Sequence, residues 1–427
     1  MSVLMLLVTI LSLSMLLAML YKMSGDFLFP PVIFTAVWLS SMIGILLSWG
    51  SYYEIECTAY VVYLVGAISF SIGGALVFLL RRGNINGPTT NLADHTYNNH
   101  SIHSVLDIAL LVAIVGLPLY WREMSNLAGG ATDDLFLFNI RQKMVELADE
   151  RTTLSVVRNC EILSILVSIA MAYEMDGTRS RRWRTVIAVA VTLMYGIISA
   201  TKISLVTIIL YIFFTYSIKR KHVNAKTLVA MILICIIIFF AGMLTFNYAP
   251  MFFASTTDML AFLFRSMLGA WWLGGIVAFS QIAETPNIVI STQPIYRFFL
   301  ETARSLGINV YVPPKFAEYL NYSPYADTNA YSIYFCYFKD YGWAGMVILM
   351  LFLGAALVIL YRKALRGGPV AVQFYAMMCS GLVLSFHSEH FFLGLNFYLK
   401  AAIFYYVLYK IVPALYSSRR GIRVQHA

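Results

Sequence analysis

The chain has 427 residues, of which 60% are hydrophobic and only 12% charged, and its mean hydropathy is +0.75. A soluble domain carries about 25% charged residues, so a water-facing globule is excluded and a lipid-embedded chain is implied. The net charge of +9 does not point to nucleic acid, because the basic residues fall in short loops between apolar runs, where they set membrane topology.

Runs long enough to cross a ~30 Å hydrocarbon core follow one another along the chain. They are Val3–Tyr21, Leu28–Trp49, Tyr60–Leu80, Ser104–Trp121, Leu154–Tyr173, Thr185–Ala200, Ile203–Ile218, Leu228–Tyr248, Phe338–Tyr361, Ala371–Phe386 and Leu393–Pro413. The reading is an all-α, polytopic transmembrane helix bundle of about eleven spans, a single integral membrane domain over residues 1–427. The first run lacks a basic leader region and a small-residue cleavage site, so it predicts a retained helix. The five cysteines, Cys57, Cys160, Cys235, Cys336 and Cys379, are scattered and show neither a metal spacing nor a disulfide framework.

Charge orients the spans. The loops that begin at Lys22, Arg81, Arg179, Lys219 and Arg362, and the tail from Arg419, hold most of the basic residues. The short loops between them hold almost none, and one of these carries Glu54 and Glu56. The basic set is therefore cytoplasmic, the C-terminus is inside, and an odd span count puts the N-terminus outside. Two long segments then fall on the outer side, residues 122–153 and 249–335. Ordered loops of that length in a compact protein usually carry function. No internal repeat is visible, and Asn84–His103 reads as a cytoplasmic linker.

In the first outer loop, Asp134–Arg151 predicts a helix lying in the membrane surface, with Leu137, Ile140, Met144, Leu147 and Ala148 on one face. Arg141 and Arg151 fall with that apolar face; they either snorkel to the headgroup layer or face an anionic headgroup. In the second loop, Met259–Ala283 is nearly all apolar and contains one charge, Arg265. A single span there would reverse the later charge pattern, so a re-entrant or surface-lying segment is expected. Arg265 either pairs with Asp258 or Glu284 or serves a functional site. Asn321–Gly345 is dense in tyrosine and small polar groups, which suits a membrane belt and sugar binding alike. Among the spans, Arg158 and Glu161 share a helical face at a spacing that allows pairing. Lys202 sits in a short outer turn, and Asp107 and Lys400 lie inside apolar runs. His387, Glu389 and His390 form a tight outer loop whose spacing is too weak a signal to assign a metal.

Several of these residues form a pattern. Asn329-Ala330-Tyr331-Ser332, then Tyr337-Phe338-Lys339-Asp340-Tyr341-Gly342, then Gly345, resemble the signature before a late span of Wzy-type O-antigen polymerases. Ser332 stands where the family has Thr, and Tyr341 where it has Phe. Ser199-Ala200-Thr201-Lys202 resembles a tight turn in which the family has a small residue and then Arg. The family's outer-loop arginine motifs, with Gly eleven residues on, are not met at Arg141 or Arg265. The general plan of the family fits the whole chain, whereas the motifs cover some twenty residues.

The resemblance implies a membrane glycosyltransferase of lipopolysaccharide biosynthesis in the bacterial inner membrane, with its active site facing the periplasm. It would join oligosaccharide repeat units carried on undecaprenyl diphosphate, with no cofactor and with a chain-length regulator as an open partner. A departing diphosphate calls for preorganised cations, and Arg141, Arg265 and Lys202 lie on the expected side. The attacking hydroxyl needs a proton acceptor, for which Asp340 comes first and Glu161 and His387 follow. Asn329, Tyr331 and Ser332 are the expected substrate contacts. The rival classes are a flippase for the same lipid-linked sugar, an O-antigen ligase, and a scaffold subunit of an envelope complex.

Overall fold

Each apolar run folds as a helix, because a backbone in hydrocarbon must satisfy its own hydrogen bonds. The computed structural model describes residues 2–80, 99–129, 136–137, 139–140, 143, 156–175, 178–221, 223, 225–247, 269–283, 293–314, 318–324 and 326–416. The long helices are α1 (Ser2–Ser24), α2 (Pro30–Leu47), α3 (Cys57–Leu80), α4 (Asn99–Leu127), α5 (Val156–Glu174), α6 (Arg179–Ile198), α7 (Lys202–Arg220) and α8 (Ala225–Asn247). After the second long loop come α11 (Ile333–Leu365), α12 (Pro369–Val383) and α13 (Leu395–Tyr406), the last continued by a π turn over Val407–Ile411. Among the described residues, eight helical stretches are long and apolar enough to cross a membrane. The expected eleven differ from these by α5, which carries Arg158 and Glu161, by α6, which opens on four arginines, and by α8, whose apolar part is the shorter Lys226–Gly242. Large apolar side chains point outward from the spans: Leu4, Ile108, Ile348 and Ile403 are each more than 60% exposed. Apolar faces of this kind suit lipid and not water.

The second long loop adds a short two-stranded hairpin to its helices, within an otherwise helical chain. It holds a π turn (Ala270–Gly274) running into α9 (Gly275–Ala283), then α10 (Pro294–Ser305). A small antiparallel hairpin follows, β1 (Leu320–Ser323) with β2 (Ala326–Thr328), in which Leu320 faces Thr328 and Asn321 faces Asp327. The described part of the Met259–Ala283 run is short, and α9 is almost entirely buried against α3 and β1. On α10, the buried Arg297 pairs with Glu301 at 2.9 Å and donates to the Pro313 carbonyl.

The chain divides into two compact units. The first comprises Met1–Arg82, Phe252–Tyr361 and Met378–Leu395. Its core is aromatic: Phe34 stacks on Phe70 at 4.4 Å, and Trp38 lies 4.6 Å from Tyr334 and 5.1 Å from Tyr63. Here α3 and α11 touch backbone to backbone. A Cβ on Gly73 would lie 2.0 Å from the Leu351 carbonyl oxygen, and one on Gly354 would lie 2.0 Å from that of Phe70. Small residues permit such approach where no water drives helices together.

The second unit comprises Gly83–Met251, Arg362–Met377 and Asn396–Ala427. Its helices are joined by hydroxyls as well as by packing. Tyr195 donates to the Ala113 carbonyl at 2.7 Å, Ser168 and Thr192 share a bond of 2.7 Å, and Tyr405 donates to the Leu166 carbonyl.

Candidate functional site

In the first unit, the Asp340-Tyr341-Gly342 motif is a break in α11. Gly342 has φ +63° and ψ −162°, a conformation almost confined to glycine. Gly345 completes the break, since a Cβ there would stand 2.0 Å from the Cβ of Tyr341. Asp340 therefore closes a short helical segment that starts at Ile333, and one of its carboxylate oxygens is turned away from solvent. Tyr337 lies one turn earlier on the same face. Its hydroxyl donates to Glu389 Oε1 at 3.0 Å.

Glu389, only 2% exposed, organises the loop between α12 and α13. Besides Tyr337, it accepts the backbone N–H groups of Phe391, Phe392 and Leu393 at 2.8–3.0 Å. Burial pushes its carboxyl above the ordinary range, and these donors, which favour the ionised form, work against that shift. His387 packs on the Trp271 ring at 5.4 Å and lies 6.5 Å from His390. Burial lowers His390 to about 4, opposed by a bond to the Leu384 backbone, so its imidazole is neutral at pH 7. Among the described residues, no three His, Cys, Asp or Glu side chains gather as a metal site.

The signature residues ahead of the break are mostly held by the protein. Tyr331 donates to the Glu318 carbonyl at 2.7 Å and stacks on Phe335, and burial raises its phenol. Asn329 is half-buried beside β2. The Ser332 hydroxyl is fully buried and has no hydrogen-bond partner among the described residues.

In the second unit, chemistry-bearing groups gather where α5 begins. Tyr120 donates to Glu161 at 3.1 Å, and the Tyr120 ring meets Tyr195 at 5.0 Å. Lys400 donates to Asn159 Oδ1 at 2.9 Å and lies within reach of the Arg158 charge. The expected Arg158–Glu161 pairing is replaced by two neighbouring cations. Among the described residues, no carboxylate lies within ion-pair distance of either one. Lys202 opens α7 directly after the Ser199–Thr201 turn, where Ala200 has φ +51° and the Ser199 and Thr201 hydroxyls meet at 2.7 Å. That turn follows the end of α6 near Tyr195, so the Lys202 backbone belongs to the same end of this unit. Asp107 pairs with Arg184 at 2.9 Å.

The structure thus places Asn329, Tyr331, Ser332, Asp340 and His387 in the first unit, and Glu161 and the Lys202 backbone in the second. Arg141 and Arg265 lie outside the described residues, as do the Lys202 side chain and most of Asp134–Arg151. Lys400 and Glu389 are the residues that sequence reasoning undervalued. The signal for Lys400 was present, as a cation inside an apolar run. Comparison of the chain with models of known protein families, with curated proteins and with solved structures finds no match.

Proposed function

We propose that this chain polymerises lipid-diphosphate-linked oligosaccharide repeat units, in the manner of Wzy-type O-antigen polymerases. In this reading eleven spans cross the bacterial inner membrane, and the long loops face the periplasm. The observation that carries it is the pair of cations, Arg158 and Lys400, among apolar helices with no carboxylate at ion-pair distance among the described residues. Cations at membrane depth are costly without an anion, and a lipid-linked diphosphate supplies one. In the transfer, an acceptor hydroxyl attacks the anomeric carbon of the growing chain. The bond from that carbon to the diphosphate oxygen breaks, undecaprenyl diphosphate departs with the electron pair, and the hydroxyl proton passes to a carboxylate. Preorganised cations stabilise the charge that grows on the leaving group. Glu161, one turn from Arg158, is the acceptor nearest to those cations in the chain, and the resemblance favours Asp340 for the same step.

The test is reconstitution: purified protein, lipid-linked repeat units, and a gel for ladder formation. Glu161→Gln and Asp340→Asn assayed side by side identify the proton acceptor. A flippase of the same lipid-linked sugar is the second reading, favoured by the broken helix at Gly342, since transporters use discontinuous helices. Genetics separates the two. Loss of a polymerase leaves a surface glycan capped by one repeat unit, and loss of a flippase leaves none.

A further inference from the structure

The loop between α2 and α3, marked in sequence only by Glu54 and Glu56, walls a pocket. Trp49, Tyr52, Tyr53 and Tyr60 line an open depression of about 390 Å³, counting the part shared with solvent, together with Ser48 and Glu54. The loop is held in shape from outside. The Tyr53 N–H donates to the Tyr322 carbonyl at 3.0 Å, and the Glu56 N–H donates to Ser280 Oγ at 2.7 Å. The Tyr52 ring lies 5.8 Å from that of Tyr322. Preorganisation of this kind lowers the entropy cost of binding.

A belt of interfacial aromatics would also place Trp and Tyr here, with their polar ends in the headgroup layer. Tyr60 does not follow that pattern. It is fully buried, its hydroxyl has no hydrogen-bond partner among the described residues, and it forms part of the pocket lining. A buried hydroxyl without a partner is costly, so a ligand that bonds to it gains. The one charged side chain in the lining is Glu54, an acid, which disfavours phosphate. A quaternary ammonium would suit the rings and Glu54 through cation–π attraction but would leave Tyr60 unsatisfied. A sugar ring suits all of them: its C–H face lies on an aromatic ring, and its hydroxyls reach the phenol and the carboxylate.

We infer that the pocket formed in the first unit by Trp49, Tyr52, Tyr53, Glu54 and Tyr60 is a binding site for a pyranose ring. The inference adds to the polymerase reading without resting on it, because sugar binding is read without turnover. The experiment is saturation-transfer NMR on the full chain in a polyoxyethylene detergent, which carries neither sugar nor ammonium. The probes are methyl glucoside, methyl galactoside and methyl N-acetylglucosaminide, with phosphocholine as the control. The expected result is transfer to ring protons of at least one glycoside, lost in Trp49→Ala. In Tyr60→Phe the affinity falls about tenfold, the loss of roughly one hydrogen bond, while thermal stability stays level or rises because an unsatisfied hydroxyl is gone. Absence of transfer to every glycoside, transfer unchanged in both variants, or phosphocholine displacing the bound glycoside would each overturn the inference.

Discussion

Removing the Glu389 carboxylate should unfold the loop between α12 and α13. Its oxygens take four donors: Tyr337 and the N–H groups of Phe391, Phe392 and Leu393. Glu389→Ala strands all four in a buried site, at about 1–3 kcal/mol each. Water entering the cavity recovers part of that, but the remainder still approaches the ~5–15 kcal/mol that holds a typical domain folded. Glu389→Gln keeps Oε1, with Tyr337, Phe391 and Phe392 at 2.8–3.0 Å, and turns an amide NH₂ toward the Leu393 N–H that Oε2 met at 2.9 Å. The Leu393 bond is lost and the Phe392 N–H keeps one of its two acceptors, for about 2–4 kcal/mol. Tyr337→Phe removes a single donor and leaves the backbone bonds in place, for about 1–2 kcal/mol. The expected order of damage is therefore Ala, then Gln, then Phe, read as thermal unfolding by size-exclusion chromatography of detergent-solubilised protein. A Glu389→Ala protein with native thermal stability, or a Tyr337→Phe protein less stable than Glu389→Gln, would show that the carboxylate does not organise this loop.

Arg158→Ala and Lys400→Met should each lower chain extension by ~10²–10³ if the two cations hold a departing diphosphate. Membrane abundance should not fall in either case, since removing one of two like charges relieves repulsion; reduced abundance with proportionate activity would mark a structural role. Gly342→Ala should cost about 1–3 kcal/mol of stability through its backbone conformation alone, and Gly345→Ala should also destabilise, since its methyl would meet the Tyr341 Cβ; thermal melts of both variants check this. His390 responds to acid with a definite sign. Its folded value is about 4 against an ordinary 6.5, so the unfolded chain takes up a proton first as pH falls. Stability from this group is present above pH 6.5 and is lost toward pH 4, a window worth about 3 kcal/mol. Subtracting the pH profile of His390→Asn isolates it from Glu389, and coincident profiles would refute it. Because donors already occupy the Glu389 oxygens, chelator treatment should leave the glycan ladder unchanged; loss of the ladder, restored by one divalent ion, would refute that.

The long helices were legible because lipid imposes one simple demand on sequence, a long apolar run, and among the described residues eight helices meet it. Charge was equally plain in the loops, and it named Arg158, Glu161 and Lys400 one by one. Their arrangement was not legible: Lys400 meets Asn159 across 241 positions, and no local spacing encodes that. The Asp340-Tyr341-Gly342 motif stood out as a pattern, but its meaning as a helix break depends on a backbone angle. The β1–β2 hairpin was missed because its strands are only four and three residues long, below the length at which alternation carries a signal. Glu389 was noticed only as the neighbour of His387 and His390, whose spacing is a weak metal signal. Its work with Tyr337 and three backbone amides appears only when residues 52 positions apart meet.

The contact between α3 and α11 has a consequence for how the protein sits in bilayers of different thickness. The obstacles facing Gly73 and Gly354 are carbonyl oxygens, not side chains that could turn aside. The two helices therefore cannot slide past one another to follow a thinner or thicker membrane. Twelve residues separate Gly354 from Gly342, so the break sits about 18 Å along the axis from this clamp. The depth of Asp340 is thus set by α3 as much as by the hydrophobic length of α11. Mismatch has to be absorbed by tilting the pair together or by deforming the surrounding lipid.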